Sequence, residues 1–186
     1  MHIFETPLPG VIIIEPAVFQ DQRGYFFESY NAEKWNQQGI CVEFVQDNES
    51  LSSRGVIRGL HYQLDPFAQA KLVRVVQGNV FDVAVDLREG SPTCGKWFGT
   101  ELSGDNKRQM LIPKGFAHGF SVLSSTVIFV YKCDQVYNKQ AERTILFKDP
   151  DLQIDWHIPE SEWIISEKDN AAPLFRSAET NYRFLP

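Results

Sequence analysis

The stretch Asn79-Val80-Phe81-Asp82-Val83-Ala84-Val85-Asp86-Leu87 carries the alternation that decides the class of fold. Successive side chains of a β-strand point to opposite faces of the sheet. Phe81, Val83, Val85 and Leu87 would therefore share one wholly apolar face. The other face would mix apolar residues with the carboxyl groups of Asp82 and Asp86. The stretch predicts a β-strand.

Similar short runs occur along most of the chain, separated by turn signals such as Glu89-Gly90-Ser91-Pro92 and Ser103-Gly104-Asp105-Asn106. Many short strands at close spacing indicate an all-β sandwich, jelly roll or barrel. The predicted strands are Val11–Glu15, Gly24–Tyr30, Val42–Asp47, Val56–Gln63, Lys71–Gln77, Asn79–Leu87, Trp97–Leu102, Gln109–Ile112, Ala117–Val122, Thr126–Cys133 and Ile145–Lys148.

Helical signal is thin. Residues 31–39 predict a short helix, with Asn31 as its N-terminal cap and Gly39 ending it. A second helix is expected over Glu160–Lys168. With no repeat or linker in the sequence, we expect one domain over residues 1–186.

Two strands place aromatic side chains in rows. Phe116, His118 and Phe120 would point the same way, and so would Phe129 and Tyr131. Such rows fit the inside of a barrel that holds a small ligand. A packed aromatic core explains the same pattern, so the rows alone do not predict a binding site.

Composition excludes several classes of protein. The net charge of −6 argues against a general nucleic-acid binder, which needs a basic face. The three cysteines form no CxxC pair, which favours a reduced chain. The first residues resemble no secretory signal, and no apolar run reaches the ~20 residues of a membrane helix. We expect a cytoplasmic protein with no membrane partner.

Of four histidines, only His61 and His118 fall inside strand-like segments. His61 lies in the glycine-flanked stretch Gly55–Gln63, three residues after Arg58. Strict alternation would place Arg58 and His61 on opposite faces of the sheet. Either a bulge near Gly59 turns one of them, or Arg58 lies at the mouth of the barrel.

Other chemistries lack their residues. Metal-binding barrels commonly offer His-x-His, but the second position here is Gln63, so we expect no metal. The sequence has no Gly-x-Ser-x-Gly elbow for a hydrolase. It also has no glycine-rich nucleotide loop, although arginines and aromatic rings could hold a nucleotide without one.

Several motifs in order resemble the dTDP-4-dehydrorhamnose 3,5-epimerase family over nearly the whole chain. The motifs that carry the resemblance are Asp21–Tyr30, Phe44–Ser50, Gly55–Gln63 with Lys71, Ile112–Phe120, Val130–Lys132 and Ser166–Asp169. The resemblance implies a double-stranded β-helix, the cupin-type jelly-roll barrel, with a few short helices. It also implies a homodimer without metal or cofactor.

The implied activity inverts carbons 3 and 5 of a thymidine-diphosphate 4-keto-6-deoxy sugar during L-rhamnose biosynthesis. By resemblance, His61 is the general base, Asp169 its carboxylate partner, Tyr131 the general acid and Lys71 the group that stabilises the enolate oxygen. The implied substrate-binding residues are Arg23, Glu28, Gln46, Asn48, Arg58, Lys71, His118, Glu142 and Lys168.

The chemistry suits these residue types. Histidine, with an ordinary pKa of about 6.5, provides a neutral base near pH 7. A carboxylate on its far nitrogen fixes the tautomer and stabilises the imidazolium. Tyrosine, with an ordinary pKa of about 10, is protonated and can donate from the other face of the sugar. A lysine ammonium stabilises the enolate oxygen, and arginine pairs with a diphosphate.

Each residue also has a structural alternative. Asp169 could cap a turn, Tyr131 and His118 could be hydrogen-bonded core groups, and Lys71 could protect a strand edge. Three other functions remain open from sequence: an epimerase acting on one carbon, a non-catalytic sugar-nucleotide-binding barrel, and a metal-dependent cupin.

Overall fold

The computed structural model describes residues 1–184 and consists mainly of short antiparallel strands. The strands are β1 His2–Glu5, β2 Ile12–Glu15, β3 Val18–Asp21, β4 Gly24–Phe27, β5 Gln46–Ser53, β6 Ile57–Gln63, β7 Lys71–Gln77, β8 Asn79–Asp86, β9 Trp97–Ser103, β10 Gln109–Ile112, β11 Phe116–Val122, β12 Thr126–Cys133 and β13 Glu142–Thr144. The helices are α1 Ala32–Gln37 and α2 Glu167–Asn170, with 3₁₀ turns at Glu160–Glu162 and Phe175–Ser177.

Two sheets form the body of the molecule. The six-stranded sheet has the order β1-β2-β10-β7-β12-β5, and the five-stranded sheet has the order β13-β6-β11-β8-β9. A separate hairpin pairs β3 with β4. All pairings between these strands are antiparallel, and neighbours in a sheet are often distant in sequence. The architecture confirms the predicted double-stranded β-helix with a few short helices.

The predicted alternation in β8 separates two hydrophobic clusters. Val80 and Ala84 belong to the cluster that also holds Phe120 and Phe129, so this cluster joins the two sheets. Phe81 and its neighbours on the other face belong to a second cluster, which the segment 145–165 covers. A third cluster packs Trp35 of α1 against the outer face of the six-stranded sheet. The inward faces of the two sheets become polar beyond the first cluster, and a cleft opens between the sheets there.

Helix α1 matches its prediction closely. The Asn31 side chain accepts a hydrogen bond from the Lys34 N–H, and the chain leaves the helix through Gly39 at φ +79°. The predicted helix Glu160–Lys168 is wrong as a single element. Its middle is extended because Ile164 exchanges backbone hydrogen bonds with the chain at the start of β6. No helix within residues 1–184 is long and apolar enough to span a membrane.

Strand β5 is shifted from its prediction. The predicted strand Val42–Asp47 overlaps the observed strand only at its last two residues, because Val42 and Phe44 pack on the third cluster as irregular chain. The observed strand Gln46–Ser53 is polar and pairs with β12 over its full length. The prediction of Ile145–Lys148 is also wrong, since the pairing strand ends at Thr144. Strands β1, β3 and β13 were not predicted.

A bulge settles how Arg58 and His61 come to share a face. His118 pairs with His61 and Phe120 pairs with Arg58, so three steps along β6 match two along β11. The extra residue confirms the predicted bulge. Gly59 has φ +138°, and a Cβ there would lie 2.6 Å from the Gly119 Cα. Glycine is therefore required at position 59, where β6 and β11 approach each other closely.

Candidate active site

Two adjoining cavities open between the sheets. One has a volume of about 310 Å³ and the other about 490 Å³, and both are lined by Asn48, His61, Lys71 and Tyr131. The four shared residues come from β5, β6, β7 and β12, so both sheets contribute. Three of the four residues for which the resemblance implied catalytic roles therefore lie on one cleft.

The fourth, Asp169, lies behind His61. The His61 Nε2 is 2.7 Å from the Asp169 Oδ1, and the Asp169 side chain is only 6% exposed. The Ser166 hydroxyl accepts a hydrogen bond from the Asp169 N–H and so caps α2, while the Gly59 N–H lies 3.5 Å from the second carboxylate oxygen. Burial raises the pKa of Asp169, but the hydrogen bond and charge of His61 lower it by more. The pKa of Asp169 therefore lies below its usual value. An ionised Asp169 can orient the imidazole.

Lys71 points into the cleft from the middle of the six-stranded sheet. Its strand pairs on both sides, with β10 and with β12, so the alternative of a strand-edge lysine is wrong. Burial lowers the pKa of Lys71, and the charges of Cys133, Asp82 and Glu142 oppose that effect. Across residues 1–184 its ammonium forms no salt bridge within 4 Å. It is available to a negative charge that develops on a ligand.

Tyr131 faces His61 from the other sheet. It lies on β12 opposite Asn48 of β5, whereas His61 lies on β6 of the five-stranded sheet. Burial raises the pKa of Tyr131, with the charge of Cys133 adding to the effect, so its hydroxyl keeps its proton at neutral pH. The cleft thus holds an imidazole on one wall and a protonated phenol on the other.

Polar side chains extend the cleft on either side of this centre. The Arg58 Nε donates to the Ser52 hydroxyl at 3.0 Å, which holds the guanidinium at the larger cavity. The Gln46 Nε2 donates to the Asn48 Oδ1, and both residues line the smaller cavity.

An ion pair lies at the rim of the smaller cavity. The Lys168 Nζ is 2.6 Å from the Glu142 Oε2, and the Tyr137 hydroxyl donates to the same oxygen at 3.1 Å. Burial raises the pKa of Glu142, but Lys168 and Tyr137 lower it below its usual value. Glu142 lines the cavity itself, whereas Lys168 reaches it through this contact.

His118 lines the larger cavity beside His61, its partner on the neighbouring strand. Its Nε2 lies 3.0 Å from both oxygens of Asp82, which is 0% exposed. Asp82 was not among the predicted site residues. The available signal was a carboxyl group on the face of β8 that mixes two aspartates with small apolar residues, in the stretch that decided the fold. Tyr137 was also missed, and nothing in its sequence context marked it.

Two predicted residues lie away from the cleft of their own chain. Arg23 pairs with Asp21 on the β3–β4 hairpin, and its side chain is 90% exposed. Glu28 pairs with Lys34 and borders a separate cavity of about 210 Å³. Neither residue lines the cavities around His61.

Gln63 occupies the position at which a metal-binding barrel would place its second histidine, and here its side chain forms structural hydrogen bonds. The Gln63 side chain accepts from the Asn138 N–H at 2.7 Å and donates to the Phe67 carbonyl at 2.6 Å. It therefore fixes two loops beside the cleft. In the described part of the chain, no three His, Cys, Asp or Glu side chains group to hold a metal ion.

Comparisons with known proteins agree over nearly the full length. A family profile described as dTDP-4-dehydrorhamnose 3,5-epimerase matches residues 5–177. A Shigella flexneri protein of that name is 53% identical over 180 residues, covering 96% of this chain and 98% of the relative. The crystal structure of the Elizabethkingia anophelis enzyme of that name has a TM-score of 0.91 and 56% identity, covering 95% of this chain and 97% of the other.

A second solved structure carries a ligand. The Legionella pneumophila dTDP-6-deoxy-D-glucose-3,5-epimerase in complex with dTDP-4-keto-L-rhamnose has a TM-score of 0.91 and 51% identity. The match covers 95% of this chain and 93% of that chain. Fold, length and sequence are therefore similar to those of this group of proteins along almost the whole chain.

Proposed function

The chain belongs to the dTDP-4-dehydrorhamnose 3,5-epimerase family, and from this premise we propose that its cleft converts dTDP-4-dehydro-6-deoxy-D-glucose to dTDP-4-dehydro-L-rhamnose. The protein is an isomerase that inverts carbons 3 and 5 of the sugar. The observation that carries the mechanism is the 2.7 Å contact between His61 and Asp169 with Tyr131 on the facing sheet.

In the first step, the free nitrogen of His61 takes the proton from a carbon next to the 4-keto group. The electrons of the C–H bond move into the C–C bond and the carbonyl becomes an enolate. Asp169 stabilises the imidazolium that forms, and the Lys71 ammonium stabilises the enolate oxygen. A donor of this kind in a dry site contributes about 3–4 kcal/mol in comparable oxyanion holes.

In the second step, the Tyr131 hydroxyl returns a proton to the same carbon from the opposite face. The electrons move back, the ketone re-forms and the configuration is inverted. Tyr131 regains a proton and His61 loses one before the second carbon reacts, so the reaction is neutral in protons. Because these protons exchange with water, each inversion should bring one solvent hydrogen onto the sugar.

The positive groups of the cleft suit the diphosphate. Arg58 offers a guanidinium held by Ser52, and this fork pairs well with phosphate oxygens. Gln46, Asn48, His118 and Glu142 would contact the sugar or nucleoside. We propose that Lys168 acts at the rim, through Glu142.

Arg23 and Glu28 fit this site best if a second copy of the chain supplies them. The hairpin that carries Arg23 exposes Phe19 at 65% and Phe26 at 70%, which is unusual for an isolated monomer. A homodimer in which each hairpin covers the other cleft would bury these rings. Equilibrium sedimentation should give twice the chain mass. A Phe26→Asp variant that stays dimeric would oppose this arrangement.

The deciding experiment is turnover in deuterated water with dTDP-4-dehydro-6-deoxy-D-glucose. We expect deuterium at carbons 3 and 5, and loss of exchange in His61→Ala. His2→Ala, a change at an exposed histidine of β1 that lines neither cavity around His61, is the matched control. Exchange at carbon 3 alone would identify a single-carbon epimerase. Tight binding of the substrate without exchange would identify a non-catalytic binding barrel.

We further propose a single catalytic domain that needs no metal or cofactor and works in the cytoplasm without nucleic acid. Its net charge of −6 fits a protein without a general nucleic-acid face. Unchanged turnover after dialysis against a chelator would support the metal-free reaction, and lost turnover restored by a divalent cation would contradict it.

A further inference from the structure

Asp82 is a buried carboxyl group that the proposed mechanism does not use. It lies on the inward face of β8 with a side chain that is 0% exposed, and both its oxygens are 3.0 Å from the His118 Nε2. Removing a carboxylate from water is costly unless a charged or hydrogen-bonding partner compensates. Burial raises the pKa of Asp82 above its usual value, whereas the charge and hydrogen bond of His118 and the charge of Lys71 favour the ionised form.

This contact occupies the Nε2 of His118 and leaves Nδ1 as the ring nitrogen available to a ligand in the cleft. With Nε2 directed at Asp82, Nδ1 lies on the other side of the ring, and within residues 1–184 it has no hydrogen-bond partner. His118 lines the larger cavity next to Arg58, His61 and Lys71. Its ring is stacked against Phe129, at 6.0 Å between centroids and 24° between planes, which limits rotation.

The surroundings of His118 favour a neutral ring. Burial lowers the pKa of His118, and the positive charges of Lys71 and His61 act in the same direction, whereas Asp82 opposes them. A neutral ring that donates from Nε2 carries a lone pair on Nδ1. Such a nitrogen accepts hydrogen bonds and is unsuited to phosphate oxygens, so its partner would be a donor such as a sugar hydroxyl.

We propose that Asp82 is a positioning residue that holds the Nε2–H tautomer of His118, so that Nδ1 accepts a hydrogen bond from a hydroxyl of the bound sugar. The identity of the ligand rests on the proposed epimerase function. The tautomer itself does not, because Asp82 and His118 contact each other within the chain and no ligand takes part in that contact. Asp82 acts through His118 and does not touch the substrate.

Asp86 offers a matched control on the same strand face. It is also 0% exposed, but its oxygens bind Arg88, Ser91 and Thr93 away from the cleft. Replacing either carboxylate with asparagine removes one buried charge from β8. Only the change at Asp82 should alter the substrate site.

The first test needs no variant of Asp82. Nitrogen-15 NMR of imidazole-labelled protein at pH 7, with His118→Asn to assign the signals, reports the protonation of each ring nitrogen. We expect a protonated Nε2 and a bare Nδ1 for His118. A protonated Nδ1 with a bare Nε2, as a protonated Asp82 would enforce, overturns the proposal.

The second test is a double-mutant cycle. Asp82→Asn no longer enforces one tautomer, and we expect kcat/KM to fall roughly 10- to 100-fold, as happens when a metal-ligating histidine loses the partner that orients it. In a His118→Asn background the same change should cost less than twofold. Asp86→Asn, assayed where it is folded, should leave kcat/KM within twofold. Equal losses in both backgrounds would show that Asp82 acts only through stability.

The two tests separate the inference from the proposed function. If the wild-type protein exchanges no deuterium into the sugar, the epimerase function fails while the NMR result still decides the tautomer. If the wild type is active and Asp82→Asn retains full kcat/KM, the inference fails and the function stands.

Discussion

Replacing Asp169 with asparagine tests the central pair of the mechanism. The substitution keeps the size of the side chain and removes its charge, so the His61 ring can stay in place while its imidazolium loses a counter-charge. The carboxylate is 6% exposed and 2.7 Å from the ring nitrogen, whereas the His61 side chain is 33% exposed. The pair is therefore only partly shielded from water.

The size of the effect follows from that geometry. Two unit charges with centres about 4 Å apart interact by about 4 kcal/mol at an effective dielectric constant of about 20. Partial exposure of His61 reduces this to about 2–4 kcal/mol. The charge pair forms only when His61 takes the proton, so the loss appears in the barrier. At about 1.36 kcal/mol per factor of ten, kcat should fall about 30- to 1000-fold with KM nearly unchanged.

The assay is the initial rate of deuterium incorporation at each carbon under saturating substrate. Glu167→Gln removes an exposed carboxylate from the same helix, α2, and should leave kcat within twofold. If Asp169→Asn retains more than a third of the wild-type kcat, the carboxylate does not lower the barrier as proposed. If the loss lies entirely in KM, the carboxylate acts in binding and not in proton transfer.

Three further outcomes are expected. Tyr131→Phe should lower kcat about 100-fold or more with little change in KM, measured as exchange at both carbons, since it removes the donor on the facing sheet. Gly59→Ala should lower the free energy of unfolding by about 2–5 kcal/mol in urea titrations, because the new Cβ would clash with Gly119 and the backbone of residue 59 has φ +138°. Gly24→Ala, with open space around it, should lower the free energy of unfolding by less. Asp86→Asn should lower the free energy of unfolding by about 3–5 kcal/mol at pH 7. Burial raises the pKa of Asp86, but its hydrogen bonds, led by that from Arg88, bring the pKa below its usual value. The difference in free energy of unfolding between wild type and variant should therefore hold above pH about 4 and shrink as the pH falls further.

Parts of the fold were predictable because they depend on local patterns. The alternation of β8 follows from strand geometry and was confirmed by the two clusters on its faces. The cap and end of α1 follow from the side chain of Asn31 and the backbone freedom of Gly39. Because strict alternation would separate Arg58 and His61, a bulge near Gly59 was one of the two arrangements expected, and the register shift confirms it.

Strand β5 shows why other parts were not predictable. Its inward side chains Asn48 and Ser50 line the cleft, and the next inward side chain, Ser52, accepts a hydrogen bond from Arg58. Its outward Asp47 pairs with Lys132. A strand without apolar alternation carries no local strand signal, so its existence depends on the partner strand β12. The polar side chains that line the cleft are the same ones that remove the strand pattern from the sequence.

The sequence by itself determined that the chain forms many short antiparallel strands, and its ordered motifs identified the family and the residue types for proton transfer. Only the tertiary structure decided which residues meet. His61 and Asp169 are separated by 108 residues, and Asp82 joins His118 across two strands. The tertiary structure also placed Arg23 on the β3–β4 hairpin, away from the cleft of the same chain. Local patterns report how a side chain is oriented on its strand, whereas proximity depends on which strands pair and in which register.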